Sequence, residues 1–193
     1  KANISFTATD IIETNAKTAT LKAGIICTGN QDNSTFIFSI PEDITVGVVD
    51  GEAIFDSIDI YQGTFLTKTF IVDNSQPNQK YILPNPYIDT STIRVKVDLN
   101  GTTEEYSYVD NIIGVKSNSQ MFLVQEVSDE KYEIFFGDGI FGKKPEDGST
   151  ITITYITTDG KKGNGASSFS FSGNVISNNS SNLSGKVGII ITN

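Results

Sequence analysis

The chain has 193 residues, enough for one sizeable β domain or two small ones that each bury a core. Its formal charge of −9 disfavours nucleic acid and anionic membrane as partners and leaves basic proteins open. With no histidine and one cysteine, Cys27, it has no Ser-His-Asp or Cys-His catalysis, no imidazole zinc site and no internal disulfide.

The 23 Asp and Glu residues are scattered singly among Thr, Ser and Asn, so no acid–base couple stands out. No run approaches 18 apolar residues, and Lys1 to Ser5 lacks the apolar core of a signal peptide. The start without methionine leads us to expect an internal piece of a longer protein.

In chain order, residues 10–24 are the first ambiguous stretch. Asp10 and Glu13 have capping-box spacing and Gly24 suits a helix end, whereas Thr14, Thr18 and Thr20 disfavour a helix. Cys27, flanked by Ile25 and Ile26, reads as a small buried apolar residue. Phe36 to Ile40 reads as a strand closed by Pro41, and Thr64 to Val72 as another that ends in the turn-rich run from Asp73 to Asn78. Leu83-Pro84-Asn85-Pro86-Tyr87 is too poor in N–H donors for a sheet interior and is expected to be a fixed connection between two lobes.

Thr92 to Tyr108 carries the clearest pattern. Ile93, Val95, Val97 and Leu99 alternate with Arg94, Lys96 and Asp98, and Asn100-Gly101 follows as a type I′ turn. That turn pairs Val95 with Tyr106, Ile93 with Tyr108 and Lys96 with Glu105, with Tyr106 and Tyr108 facing inward; Glu104, opposite Val97, fits poorly. Met121, Leu123 and Val127 alternate next, then Tyr132 to Phe136, then Ile151, Ile153 and Tyr155. Asn and Ser dominate from Ser172 to Ser184. The apolar run Val187 to Ile191 is expected to pair with the first lobe or with material outside the chain.

These signals predict a mainly β protein, with antiparallel sheets in two sandwich-like lobes and little helix. The expected division is a first lobe over 1–83, a second over 84–172, and a flexible Asn/Ser-rich segment with a terminal strand over 173–193.

Within FFGDGIFGKKPEDGS, Gly137, Gly139 and Gly142 have the G-x-G-x-x-G spacing of dinucleotide loops. Such a loop needs a helix after it, because the helix amino terminus holds the pyrophosphate. Lys143-Lys144-Pro145-Glu146-Asp147-Gly148 cannot open one. We therefore read Gly137, Asp138, Gly139, Gly142 and Gly148 as a structural loop, with Asp138 accepting from nearby N–H groups. Lys143 and Lys144 are candidate partner contacts, with a solvated strand-protecting role as the alternative. Lys161 and Lys162, in Gly160-Lys161-Lys162-Gly163-Asn164-Gly165, are a second such pair. Asp56, Asp59 and Asp138 lack calcium-loop spacing, so no metal or cofactor is expected.

Several separated blocks also carry a family resemblance. Tyr132 to Pro145, Gly148-Ser149-Thr150-Ile151, Tyr155 and Gly160 to Gly165 together resemble the pattern of the baseplate J-like family. Ile60 to Phe65, Leu83-Pro84-Asn85 and Ile88 to Val95 are similar, more narrowly, to inner-ring wedge proteins of T-even-type contractile-tailed phages. The resemblance implies a structural, non-enzymatic subunit of a viral tail baseplate, assembled in the host bacterial cytoplasm. It implies a ring around the hub, built by contact with copies of itself and with other wedge proteins.

Two other classes compete. A β-rich surface or carbohydrate-binding module would favour exposed Trp and Tyr, and Trp is absent. A glycosidase would need two acids about 5 to 10 Å apart in a cleft.

Overall fold

The computed structural model describes residues 1–9, 16–31, 34–111, 113–160, 165–178 and 188–192. In chain order the first strands are β1 (Ala2–Thr9), β2 (Thr18–Leu21), β3 (Gly24–Gln31), β4 (Ser34–Ile40), β5 (Ile44–Val49) and β6 (Glu52–Gln62). Seven follow: β7 (Thr64–Ile71), β8 (Tyr81–Leu83), β9 (Ile88–Leu99), β10 (Thr102–Tyr108), β11 (Met121–Val127), β12 (Lys131–Phe136) and β13 (Thr150–Thr157). The last three are β14 (Ser167–Phe171), β15 (Val175–Ser177) and β16 (Gly188–Thr192). The fold is mainly β, as the alternation and turn residues predict.

The chain forms two compact units, one from residues 1–65 and 158–193 and the other from 66–157. Leu83, where we expected the first lobe to end, lies inside the second unit and is fully buried in its core. Pro84 and Pro86 do end a strand, β8, but they join it to β9 of the same sheet. Tyr155 donates its hydroxyl to Asn85 Oδ1 at 2.6 Å and so holds this connection. The Pro-rich signal marks a stop in sheet pairing, and that alone does not separate two cores.

In the first unit, the described residues build a nine-stranded sheet. β6, the longest of its strands, pairs antiparallel with β1, β4 and β5. Ala53 and Phe55 and, after the register shift against β1, Ile58 and Ile60 turn inward with Ile4 and Phe6, and the Phe6 and Phe55 rings stack at 4.7 Å. Cys27 is buried in the same core, and burial pushes its thiol up to about 12.

Thr18 to Leu21 settles as strand β2, paired with β5, because β-branched Thr suits a pleated surface better than a helix. Residues 10–15 lie outside the described residues, so the rest of the helix expectation does too. The chain re-enters this unit at Thr158 and is tied there to Gln62, whose amide oxygen accepts from Thr158 Oγ1 and the Asp159 N–H while its Nε2 donates to Asp159. β15 pairs in register with β2, and Val175 and Ser177 are buried, so the Asn/Ser-rich composition at 173–178 does not prevent ordered sheet. β16 pairs antiparallel with β1, one of the two seats expected for that run.

The second unit is a seven-stranded sheet in the order β7-β13-β9-β10-β11-β12-β8. Ile93, Val95 and Val97 of β9 are buried with Ile151, Ile153 and Tyr155 of β13. Where β13 slips register between Thr154 and Ile156, the buried Thr92 hydroxyl donates to the Asp89 carbonyl and accepts from the Ile156 N–H. That satisfies polar groups which would otherwise be costly at the bulge.

The β9–β10 register is the one the Asn100-Gly101 turn predicts: Val95 opposite Tyr106 and Lys96 opposite Glu105, whose side chains form an ion pair at 2.8 Å. The antiparallel ladder ends at Tyr106. Ser107 and Tyr108 pair in parallel with Met121 and Phe122 of β11 instead, and Tyr108 is exposed, contrary to the inward orientation expected for it. An aromatic row of edge-to-face contacts runs Phe70–Tyr81–Phe136–Tyr106, at 5.5, 5.4 and 5.6 Å.

Candidate functional site

β12 ends at Phe136, whose ring is held in the aromatic row, and the chain leaves the sheet at Gly137. The two feet of the loop touch backbone to backbone. A Cβ on Gly137 would lie 2.1 Å from the carbonyl carbon of Gly142, so only glycine fits there. Gly142 has φ +85°, and a Cβ on it would meet the Met121 side chain at 2.6 Å. Gly139 differs: its φ is +92°, but the space around it is open.

Hydrogen bonds then lock the crossing. Gly139 N–H donates to the Gly142 carbonyl at 3.0 Å. Asp138 accepts from the Phe141 and Ile140 N–H groups, both at 2.8 Å, and these bonds hold its carboxyl below the usual range, with Phe141 the larger contributor. Gly142 N–H donates to the Lys116 carbonyl, and Lys143 N–H to the Ser119 carbonyl at 2.7 Å. The turn at 116–119 is itself closed by the Ser119 N–H on the Lys116 carbonyl.

Lys143 and Lys144 part company. Lys143 Nζ grips both carboxylate oxygens of Glu104, at 2.7 and 2.6 Å, which explains why a glutamate can stand opposite Val97. Lys144 is exposed, and among the described residues it has no ion pair. It borders a groove of about 740 Å³ lined also by Val72, Tyr81, Glu133 and Phe136. Buried Glu133 is paired with Lys80 at 3.3 Å.

Past Pro145 the loop docks on its own sheet. Gly148, with φ +77°, donates to the Val72 carbonyl, Val72 donates to the Ser149 carbonyl, and Asp147 accepts from the Asn74 N–H at 2.7 Å. The chain runs directly from this coil into β13, without the helix a dinucleotide loop needs. Beside Glu104 lies Tyr106, whose buried hydroxyl has no hydrogen-bond partner among the described residues. Burial first, and the charges of Glu104 and Glu146 second, push that phenol up to about 12.

The structure thus brings Gly137, Asp138, Gly139, Gly142, Lys143 and Gly148 into one braced loop. Lys161 and Lys162, the second lysine pair, lie outside the described residues. The brace also uses Glu104, Lys116, Ser119 and Met121, which sequence reasoning did not assign to it. The one available signal was the misfit of Glu104 on its hairpin.

Residues 68–158 match the family model for the third domain of the bacteriophage baseplate wedge protein gp6. The match begins and ends within two residues of the second unit, 66–157. The chain is also 28% identical over 136 residues to baseplate wedge protein gp6 of Enterobacteria phage T4, covering 61% of this chain and 19% of that protein. It therefore spans about a fifth of the length of this curated relative. Both comparisons relate the chain to the baseplate wedge proteins of T4-like phages.

Proposed function

From this relationship to baseplate wedge proteins, we propose that the chain is a structural part of a bacteriophage tail baseplate wedge and works by protein–protein contact, with no catalytic step. It sits in the virion, and its assembly takes place in the host bacterial cytoplasm. Contacts with copies of itself and with other wedge proteins form the ring around the hub. The observation that carries this reading is the match of one compact unit, with its braced glycine loop, to a wedge domain. A loop whose backbone is fixed beforehand suits docking, since little conformational entropy is lost when a partner arrives.

Purified chain mixed with purified baseplate wedge proteins is expected to form complexes whose mass in solution exceeds that of either component. Glycan binding combined with no affinity for any tail protein would replace this reading with the carbohydrate-module one.

A further inference from the structure

Between the β9–β10 hairpin and the returning arm of the glycine loop, the second unit holds a cavity of about 280 Å³. Leu99, Glu104 and Tyr106 of the hairpin and Lys143, Pro145 and Glu146 of the loop stand on its walls. Two of these side chains lack partners. Tyr106 is only 5% exposed, yet its hydroxyl has no hydrogen bond among the described residues. The Glu146 carboxylate makes no ion pair or hydrogen bond with any described residue. The charges of Glu104 and Glu146 both act on the phenol, so the hydroxyl end of the ring lies on the cavity side. Burial and these charges also push the phenol up to about 12, so it stays a neutral hydroxyl at ordinary pH. A buried hydroxyl left unpaired costs stability, and one beside a cavity points to a ligand.

Charge sets the ligand's sign. On the wall, Glu104 and Glu146 stand against Lys143, which already gives two bonds to Glu104. The acidic excess persists over the whole of segments 96–106 and 143–149, where Asp98, Glu104, Glu105, Glu146 and Asp147 face Lys96, Lys143 and Lys144. The fitting ligand is therefore a cation. It must also donate in two directions, because the phenol oxygen and Glu146 are separate acceptors. A guanidinium meets both demands, with five donors in a rigid fork and weaker hydration than an ammonium. The volume equals that of roughly nine waters, enough for an arginine side chain, and Leu99 and Pro145 suit its aliphatic stem.

We propose that this cavity binds an alkylguanidinium group, the side chain of an arginine carried by another wedge protein. Its N–H groups donate to the Tyr106 hydroxyl oxygen and to the Glu146 carboxylate, while its stem lies along Leu99 and Pro145. Glu104 stays bound by Lys143. The site rests on the cavity and its two unpartnered groups; the choice of a wedge protein as the source rests on the proposed function.

Size sets the expected strength. A ligand as small as one side chain binds weakly by itself, with a Kd on the order of 1–10 mM. Within a protein contact the same group acts as an anchor, since an arginine desolvated in a fitted pocket carries a large share of the affinity.

The probe is propylguanidinium, the arginine side chain capped with hydrogen, titrated into the 193-residue chain while the NMR amide signals of Glu104, Tyr106 and Glu146 are followed. Saturable shifts are expected at all three. Tyr106→Phe and Glu146→Gln should each weaken binding about fivefold or more. Glu105→Gln, which removes the same charge from an exposed pair on the hairpin, should change it less than about twofold. Thermal melting separates lost binding from lost fold; if Tyr106→Phe melts early, Glu146→Gln, which alters only an exposed side chain, carries the test. No saturable shift, as for a cavity that holds only water, or an affinity indifferent to the wall substitutions would overturn the proposal. The source is tested on complexes with purified wedge proteins, where propylguanidinium should compete and Glu146→Gln should weaken binding about fivefold or more. Complexes indifferent to both would overturn the partner arginine and leave the baseplate reading standing. A chain that titrates as expected but binds no wedge protein would sink the baseplate reading, and that source with it.

Discussion

Two of the glycine turns in the second unit are held in opposite ways. At Asn100-Gly101 both residues have positive φ, 54° and 84°, and the partners are close at hand: Asp98 accepts from the Gly101 N–H and the Thr103 hydroxyl. The Gly137–Ser149 loop has positive φ at three glycines, and its partners come from Val72, Asn74, Glu104, Lys116 and Ser119. One turn is specified by its own few residues. The other is specified by the tertiary structure that surrounds it, which is why a motif search alone misreads it.

The contrast breaks most sharply at Gly137. Gly137→Ala places a Cβ 2.1 Å from the Gly142 backbone, so the loop's feet must part, and chemical denaturation should show a loss of about 4 kcal/mol or more. Unchanged stability would mean that the crossing is not needed. Gly139→Val meets no atom and strains only the backbone, so about 2–3 kcal/mol is expected in the same measurement. For the local turn, Gly101→Ala also has open space and should cost only about 1 kcal/mol, with the loop's amide protection intact.

Tyr106→Phe removes a buried hydroxyl that has no partner among the described residues, so the melting temperature should hold or rise slightly; a clear drop would reveal a hidden hydrogen bond. The smallest effect is set by pH. Asp138 is lowered in the folded loop, so its contribution is fully present above the ordinary aspartate value near ~3.9 and fades as pH falls through the lowered one. Amide exchange at Ile140 and Phe141, corrected for intrinsic rates, should lose protection across that window, and Asp138→Asn should flatten the profile.

What could be read beforehand follows the same division. Alternation along β9 and the Asn-Gly turn fix a register that the structure reproduces at Val95 and Lys96, because period-two burial and turn chemistry act over a few residues. The pattern stops informing at Tyr108, where the strand exchanges β9 for a parallel partner, β11, some 13 residues further on. Pro84 and Pro86 marked a real break in pairing but not its rank. Whether a break separates strands or cores depends on where the flanking apolar residues are buried, and Leu83 and Ile88 share one core. Within the loop, the acceptor role of Asp138 was visible from its neighbours. The Glu104 anchor of Lys143, 39 residues away, was not.

The interrupted layout of the first unit also sets an order of birth. Residues 66–157 are contiguous, so their sheet can close as soon as they leave the ribosome. Strands β1, β2 and β3, though made earlier, wait for β16, β15 and β14 to complete their neighbours. The guest matures before its host, and throughout that delay the nascent host carries unfinished strand edges open to stray pairing.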